Sequence, residues 1–254
     1  MNLDGSRLAV TLLTVIPMRR TVPTDRRTAG SAMLWAPAVG LLLGVIASAI
    51  LWDAWWLDGP LAGAALAIAS LALLTRGLHL DGLADLADGL GSGRDAAGAL
   101  EVMRKSDIGP FGVVTLVLTV VIQVAALEHA AAASPARAAI ALITSVITGR
   151  LAITWACRTG VPAAPGGRLG AMVAGTVPTR TVTMLTTVII AAGAGLAAAG
   201  LIRPVVPAGA VAGLVAAWLL RRHAVRRLGG ITGDVLGALA ETAATVCLLV
   251  AAAR

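Results

Sequence analysis

Three aspartates in the segment RGLHLDGLADLADGL show the clearest chemical pattern of the chain. Asp81, Asp85 and Asp88 follow one another at positions i, i+4 and i+7. If residues 80–90 form a helix, their carboxylates project within roughly 60° of one another. Three negative charges on one helical stripe repel each other unless a cation lies between them, and Mg²⁺ prefers carboxylate oxygens and commonly bridges to substrate phosphates. The spacing therefore predicts a Mg²⁺ site in which these residues are metal ligands and catalytic carboxylates.

Basic and polar residues surround this acidic stripe in the sequence. Guanidinium groups bind phosphate oxygens at two points, and a lysine ammonium binds them as a point charge. Carboxylates that hold a metal beside cations that hold phosphate form an arrangement suited to phosphoryl transfer. We therefore predict substrate-binding roles for flanking residues and for one arginine farther along the chain. They are Arg76, His79, Arg94, Arg104, Lys105, Ser106, Asp107 and Arg150.

A second acidic pair, Asp234 and Glu241, lies in the segment GGITGDVLGALAET. The two residues are seven apart and share one face of a predicted helix, and we predict both as further metal ligands. Asp234 could equally be a helix N-terminal charge that the helix dipole stabilises. Glu241 lies two turns inside an apolar segment and needs a partner, for which Arg150 is a candidate.

Plainer interpretations of these residues stay open. The acids and bases of residues 76–112 could form ion pairs on a solvated loop. Against this, the acids flank leucines in a predicted helix near the membrane, where ionisable residues are costly and usually functional. His79 precedes Asp81 by two residues and is either a general base or a hydrogen-bond partner of a carboxylate.

The high hydrophobic and low charged content of the chain predicts a membrane protein. Of 254 residues, 58% are hydrophobic and only 13% are charged, whereas ordinary soluble domains carry about 25% charged residues. Too few polar side chains exist to cover a soluble fold, so we predict one integral membrane domain over residues 1–254 in a lipid bilayer. The net charge is +7, but the chain has no Tyr and one Phe for stacking on bases. We therefore expect no nucleic-acid partner.

Seven apolar segments approach the roughly 20 residues that a spanning helix needs. They are residues 33–52, 60–76, 111–131, 136–156, 181–201, 205–220 and 235–252. These segments predict an all-α, polytopic helical bundle with about seven transmembrane helices. Residues 3–17 are apolar but too short to span comfortably, so we expect them in the membrane interface.

The charge distribution predicts the orientation of these spans. Basic residues concentrate in the loops on the side of residues 18–32, and only Arg137, Arg203 and Arg254 fall on the opposite side. Cytoplasmic loops of membrane proteins carry the excess of Lys and Arg. We therefore expect a multi-pass protein of the cytoplasmic (inner) membrane, with the N-terminus and the active-site segment 76–112 facing the cytoplasm. The sequence leaves the oligomeric state open.

These segments also resemble a known family. GLHLDGLADLADGL (77–90), RKSDIGPFG (104–112) and GGITGDVLGA (229–238) are similar to segments of cobalamin synthases, the adenosylcobinamide-GDP ribazoletransferases. The shorter segments LLTVIP (12–17) and GGRLG (166–170) also fit. The resemblance extends in order over nearly the whole chain, and its first block is long and specific.

The resemblance implies a Mg²⁺-dependent membrane enzyme of cobalamin biosynthesis. Such an enzyme joins adenosylcobinamide-GDP to α-ribazole, or to α-ribazole 5′-phosphate, and releases GMP. A ribose hydroxyl attacks the phosphorus attached to the cobinamide side chain. On this basis we expect the aspartates of 77–90 to hold one or two Mg²⁺ ions, and Arg94, Arg104 and Lys105 to neutralise charge on the leaving group. Residues 157–180 lack acids, and we expect them to serve substrate access.

Two other functions are alternatives to ribazole transfer. A CDP-alcohol phosphotransferase also carries clustered Asp and Gly on membrane helices, but its Ala-Arg pair after the first Asp-Gly is absent here, where Leu83, Ala84 and Asp85 follow. An ion-coupled secondary transporter would use acids near the middle of the membrane. Here the acids cluster near one face, and the sequence contains no visible inverted repeat.

Overall fold

The computed structural model describes residues 3–18 and 25–253, and that part of the chain folds into eleven helices. They are α1 (Leu3–Leu13), α2 (Arg26–Asp58), α3 (Pro60–Leu74), α4 (Leu78–Gly91), α5 (Ala96–Val102), α6 (Pro110–Ala133), α7 (Pro135–Ala156), α8 (Arg168–Val173), α9 (Thr179–Ala198), α10 (Val205–Leu228) and α11 (Gly233–Ala251). The described residues form no strand, which confirms the predicted all-α class. Arg19, Arg20 and Arg254, which contribute to the predicted orientation, lie outside the described residues.

Six helices are long and apolar enough to cross a membrane: α2, α6, α7, α9, α10 and α11. The predicted span 60–76 corresponds to α3, which has only 15 residues. Helix α3 reaches the length of a span only together with α4, which turns 86° away from it, so the pair forms a broken span or a re-entrant loop. The described residues thus contain six candidate spans, or seven if this pair counts as one, which agrees with the predicted number of about seven. Their orientation stays a prediction. Helix α1 is too short to span and packs against α2.

The break between α3 and α4 has a local cause. Arg76 and Gly77 both adopt left-handed backbone conformations, with φ of 56° and 68°. The amide of Gly77 donates to the carbonyl of Ala72 over 2.7 Å, which closes the end of α3. Two consecutive left-handed residues cannot continue a right-handed helix. Helix α3 therefore ends here, and α4 starts in a new direction.

Glycines allow the spanning helices to pack closely. A Cβ at Gly40 of α2 would lie 2.8 Å from the Val146 carbonyl oxygen of α7, and one at Gly209 of α10 would lie 2.7 Å from the Cys247 carbonyl oxygen of α11. Gly44 and Gly213 make similar approaches one turn farther along. These two glycine pairs are therefore points of contact between helix backbones.

Residues 157–180 connect α7 to α9 and fold over the start of α11. The amide of Ala164 donates to the Ile231 carbonyl over 3.0 Å, and the Ile231 amide donates to the Pro162 carbonyl over 2.9 Å. A Cβ at Gly170 would clash with the Ile231 main chain. This connection is thus fastened to the turn that leads into α11, at the same end of the bundle as α4.

Candidate functional site

A cavity of about 570 Å³ lies at the end of the bundle where α4 and α11 begin. Its polar lining consists of Arg76, His79, Asp81, Arg104, Arg168, Thr232 and Asp234. Its apolar lining consists of Leu12, Leu13, Met33, Leu78, Leu100, Met103, Ile153, Leu169 and Leu236. The cavity thus joins two carboxylates and three arginines to a large apolar wall.

Close contact between α4 and α11 brings the two carboxylates of the cavity to one place. A Cβ at Gly82 would lie 2.8 Å from the Asp234 Cα, so the two backbones touch at this point. A Cβ at Gly237 would lie 3.1 Å from the His79 Cα one turn away. As a result Asp81, next to Gly82, and Asp234 line the same cavity although they are far apart in the sequence.

Asp85 does not line the cavity, but it interacts electrostatically with the acids that do. Its half-buried side chain is exposed to the charges of neighbouring carboxylates. In decreasing order of effect these are Asp81, Asp234 and Asp88. Such mutual repulsion is what a bound cation would relieve.

The donor set fits Mg²⁺ in chemistry, since it consists of carboxylate oxygens. No three His, Cys, Asp or Glu side chains in the described part of the chain form a ready-made metal site. Mg²⁺ usually takes one or two protein carboxylates and fills its remaining positions with water and substrate phosphates. Asp81 and Asp234, with Asp85 behind them, are the residues that could hold the ion in this way, and the Mg²⁺ prediction stays a prediction.

Asp88 occupies a different environment from the one predicted for it. Its side chain is only 8% exposed and does not line the cavity. Its two oxygens accept hydrogen bonds from the amides of Gly109 (2.7 Å) and Gly112 (2.9 Å) at the start of α6. A carboxylate at a helix N-terminus satisfies free amides and the helix dipole. These contacts favour a structural role for Asp88 rather than the predicted metal-ligand and catalytic roles.

Glu241 is also separated from the cavity. Gln123 of α6 donates to its carboxylate over 2.9 Å and to the Thr245 hydroxyl over 2.8 Å. Arg150, the partner predicted for Glu241, lines the same small internal cavity and interacts electrostatically with the Glu241 carboxylate, without a hydrogen bond between the two. Because Glu241 does not line the cavity with Asp81 and Asp234, the geometry does not favour its predicted role as a metal ligand.

Arg150 contacts a histidine rather than the cavity. Its Nη2 lies 3.5 Å from the His79 Nδ1, and the two side chains are 3% and 2% exposed. A guanidinium can only donate hydrogen bonds, so Nδ1 is the acceptor and the ring proton of neutral His79 resides on Nε2. The buried Nε2 has no hydrogen-bond partner in the described part of the chain. Because Arg150 occupies Nδ1, this arrangement disfavours the general-base interpretation, and it places the predicted substrate ligand Arg150 behind His79.

The remaining predicted substrate ligands divide into two groups. Arg76 and Arg104 line the cavity, and Arg104 also donates to the Pro165 carbonyl over 3.1 Å. A second group is exposed and does not line the cavity. It consists of Arg94, Lys105, Ser106 and Asp107.

Arg168 and Thr232 line the cavity but were not among the predicted site residues. Arg168 starts α8 within the GGRLG segment, whose similarity to the family was the available signal. The Thr232 hydroxyl accepts from the Val235 amide over 3.1 Å and donates to the Asp234 carboxylate over 3.2 Å. Thr232 therefore both caps α11 and orients Asp234.

Comparisons with known proteins identify the family of the chain. The family model described as cobalamin-5-phosphate synthase matches residues 5–252. A protein of Frankia casuarinae named adenosylcobinamide-GDP ribazoletransferase is 43% identical, over 97% of this chain and 94% of its own length. A Nocardioides protein of the same name is 41% identical over 99% of both chains. No solved structure shows significant similarity. The chain belongs to the cobalamin-5-phosphate synthase family.

Proposed function

We propose that this membrane protein transfers the adenosylcobinamide phosphate moiety of adenosylcobinamide-GDP to α-ribazole or α-ribazole 5′-phosphate and releases GMP. The observation that carries this proposal is the cavity in which Asp81 and Asp234 share a lining with Arg76, Arg104 and Arg168. Acids that hold a divalent ion beside cations that hold phosphate suit a diphosphate substrate. The names of the relatives give the substrate class.

Each group in the cavity has a role in this reaction. A ribazole hydroxyl oxygen forms a bond to the phosphorus on the cobinamide side, and the bond from that phosphorus to the bridging oxygen of GMP breaks. Mg²⁺, held by Asp81 and Asp234 with Asp85 behind them, would neutralise diphosphate charge. The arginines of the cavity bind phosphate oxygens and stabilise the departing GMP. Asp81 in the cavity, or Asp85 behind it, would accept the hydroxyl proton.

The shape and the polarity of the cavity support this substrate class. One wall is apolar, from Leu12 and Met33 to Met103 and Leu236, and suits the non-polar parts of a corrinoid. Cavities of about 300–1,000 Å³ enclose drug-sized ligands, and a corrinoid nucleotide is larger than that. We therefore propose that the diphosphate and its immediate surroundings lie inside, while the rest of the corrin ring extends past the cavity mouth.

The location of the site is part of the proposal. The spans indicate a multi-pass membrane protein, and the basic loops favour a cytoplasmic position for the end that carries the cavity. Nucleotide-linked substrates are cytoplasmic, which agrees with this orientation. We propose the cytoplasmic membrane, with the cavity open to the cytoplasm.

GMP release by the protein in lipid nanodiscs tests the function. We expect Mg²⁺-dependent GMP formation from adenosylcobinamide-GDP and α-ribazole, reduced at least a hundredfold in Asp81→Asn and Asp234→Asn. Asp58→Asn is the matched control, since Asp58 is an exposed carboxylate at the far end of α2. CMP release from a CDP-alcohol, or corrinoid uptake into vesicles without GMP, would instead establish one of the rival functions.

A further inference from the structure

Helix α9 is attached loosely to the rest of the bundle. Val182 is its one buried residue, and the helix as a whole packs mainly against α7 and α10. A hydrogen bond of 2.8 Å from the Trp155 Nε1 to the Thr186 hydroxyl ties it to α7. A spanning helix with so little protein contact leaves space between itself and its neighbours.

Two apolar cavities fill that space. One of about 370 Å³ is lined by isoleucines of α7 and α9, by Leu196 and by Pro207 of α10. The other, of about 310 Å³, is lined by Trp155, Leu214 and Trp218 among others. Both contain Ile190 in their lining, so they adjoin each other along the inner side of α9, and together they are called the crevice below.

A polar cavity adjoins the crevice at the end of the bundle opposite Asp81. This cavity, of about 1,000 Å³, shares Ile140, Ile202 and Val206 with the apolar crevice. Its charged and titratable lining consists of Glu128, His129, Arg137 and Arg203. Two arginines against one carboxylate give this mouth a net positive charge. Arg203 donates one N–H to the Ala253 carbonyl over 2.6 Å, and its remaining N–H groups are available.

We propose that this crevice binds an anionic phospholipid, with its phosphate at Arg137 and Arg203 and an acyl chain along α9. Protein interiors tolerate few voids larger than a water molecule, and the lining here is too apolar for water. In a bilayer, acyl chains are the apolar material that reaches such a gap. Basic pockets between spanning helices bind lipid head groups, and guanidinium pairs with phosphate at two points. A lipid acyl chain accounts for the apolar lining of the crevice, and the two arginines account for the preference for a negatively charged head group.

Native mass spectrometry of the full-length protein tests this site. The protein, purified in detergent, is incubated with phosphatidylglycerol or with phosphatidylcholine of the same acyl chains. We expect one phosphatidylglycerol molecule to bind per protein at a tenfold lower lipid concentration than phosphatidylcholine needs for the same occupancy. The variant Arg137→Gln/Arg203→Gln should remove this tenfold preference. Arg180→Gln, an exposed arginine at the other end of α9, should retain it.

A second variant tests the apolar part of the crevice. Gly193 lines it, and a Cβ there would lie 3.4 Å from the Pro207 Cβ. Gly193→Leu keeps α9 helical and fills the groove, so binding of both lipids should fall at least fivefold. Equal retention of the two lipids by the unaltered protein would overturn the proposed head-group site. A lipid-free dimer would overturn the proposal in favour of a second copy of the chain as the occupant. Neither outcome affects GMP release, which tests the proposed function separately.

Discussion

Gly82 of α4 lies directly against the main chain of Asp234 in α11, with its Cβ position 2.8 Å from the Asp234 Cα. This contact brings two segments that are more than 150 residues apart into one cavity. It also explains why a glycine directly follows the first aspartate, since any side chain would push α4 away from α11.

Replacement of Gly82 by alanine should therefore separate the carboxylates. We expect Gly82→Ala to lower GMP release at least tenfold and to reduce the free energy of unfolding by about 1–3 kcal/mol, the usual range for overpacking. Gly195→Ala is the control, because nothing lies within 4 Å of that Cβ position on α9. Normal activity of Gly82→Ala would show that the approach of α4 to α11 is not needed for catalysis.

Asp88 should behave differently from Asp81 when it is replaced. Asp88→Asn leaves a single acceptor oxygen for the two amides of Gly109 and Gly112, and a buried donor without a partner costs about 1–3 kcal/mol. We expect lower thermal stability with little change in the Mg²⁺ affinity of the folded protein. Asp81→Asn should lower Mg²⁺ affinity and leave stability nearly unchanged. The reverse pattern would restore Asp88 as a metal ligand.

The tautomer of His79 can be tested directly. Because Arg150 can only donate to Nδ1, ¹⁵N spectra of histidine-labelled protein in nanodiscs should show His79 protonated on Nε2 alone. In the His129→Gln/His223→Gln variant His79 is the one remaining histidine, so the ¹⁵N signal belongs to it. Arg150→Gln should alter this signal, whereas Arg150→Lys, which keeps a donor, should partly preserve it. A Nδ1-protonated ring would contradict the contact with Arg150.

Sequence patterns indicate the spans and the acidic stripe of α4 for a physical reason. Hydrophobic length and the i, i+4, i+7 spacing are local properties, so the spans and the stripe that contains Asp81 and Asp85 could be read without knowing the packing. The role of Asp88 depends on the approach of the α6 start, 21 residues later, to α4. A Cβ at Gly109 or Gly112 would clash with the Asp88 carboxylate. These glycines therefore indicate the contact only once the packing of α6 against α4 is known.

The same limit applies to the buried polar residues. Arg150, His79, Glu241 and Gln123 lie on four different helices, and their pairing depends on how those helices are rotated against each other. A sequence shows that a buried charge needs a partner but does not select one among several candidates. The sequence offers both the substrate and Glu241 as partners of Arg150, and the structure places Arg150 against His79 while keeping an electrostatic interaction with Glu241.

The early end of α3 has a consequence for the surrounding lipid. Its 15 residues rise about 22 Å, whereas the hydrocarbon core of a bilayer is roughly 30 Å thick. A hydrophobic stretch that falls short is accommodated by thinning of the adjacent membrane. The bilayer next to α3 should therefore form a dimple up to roughly 8 Å deep.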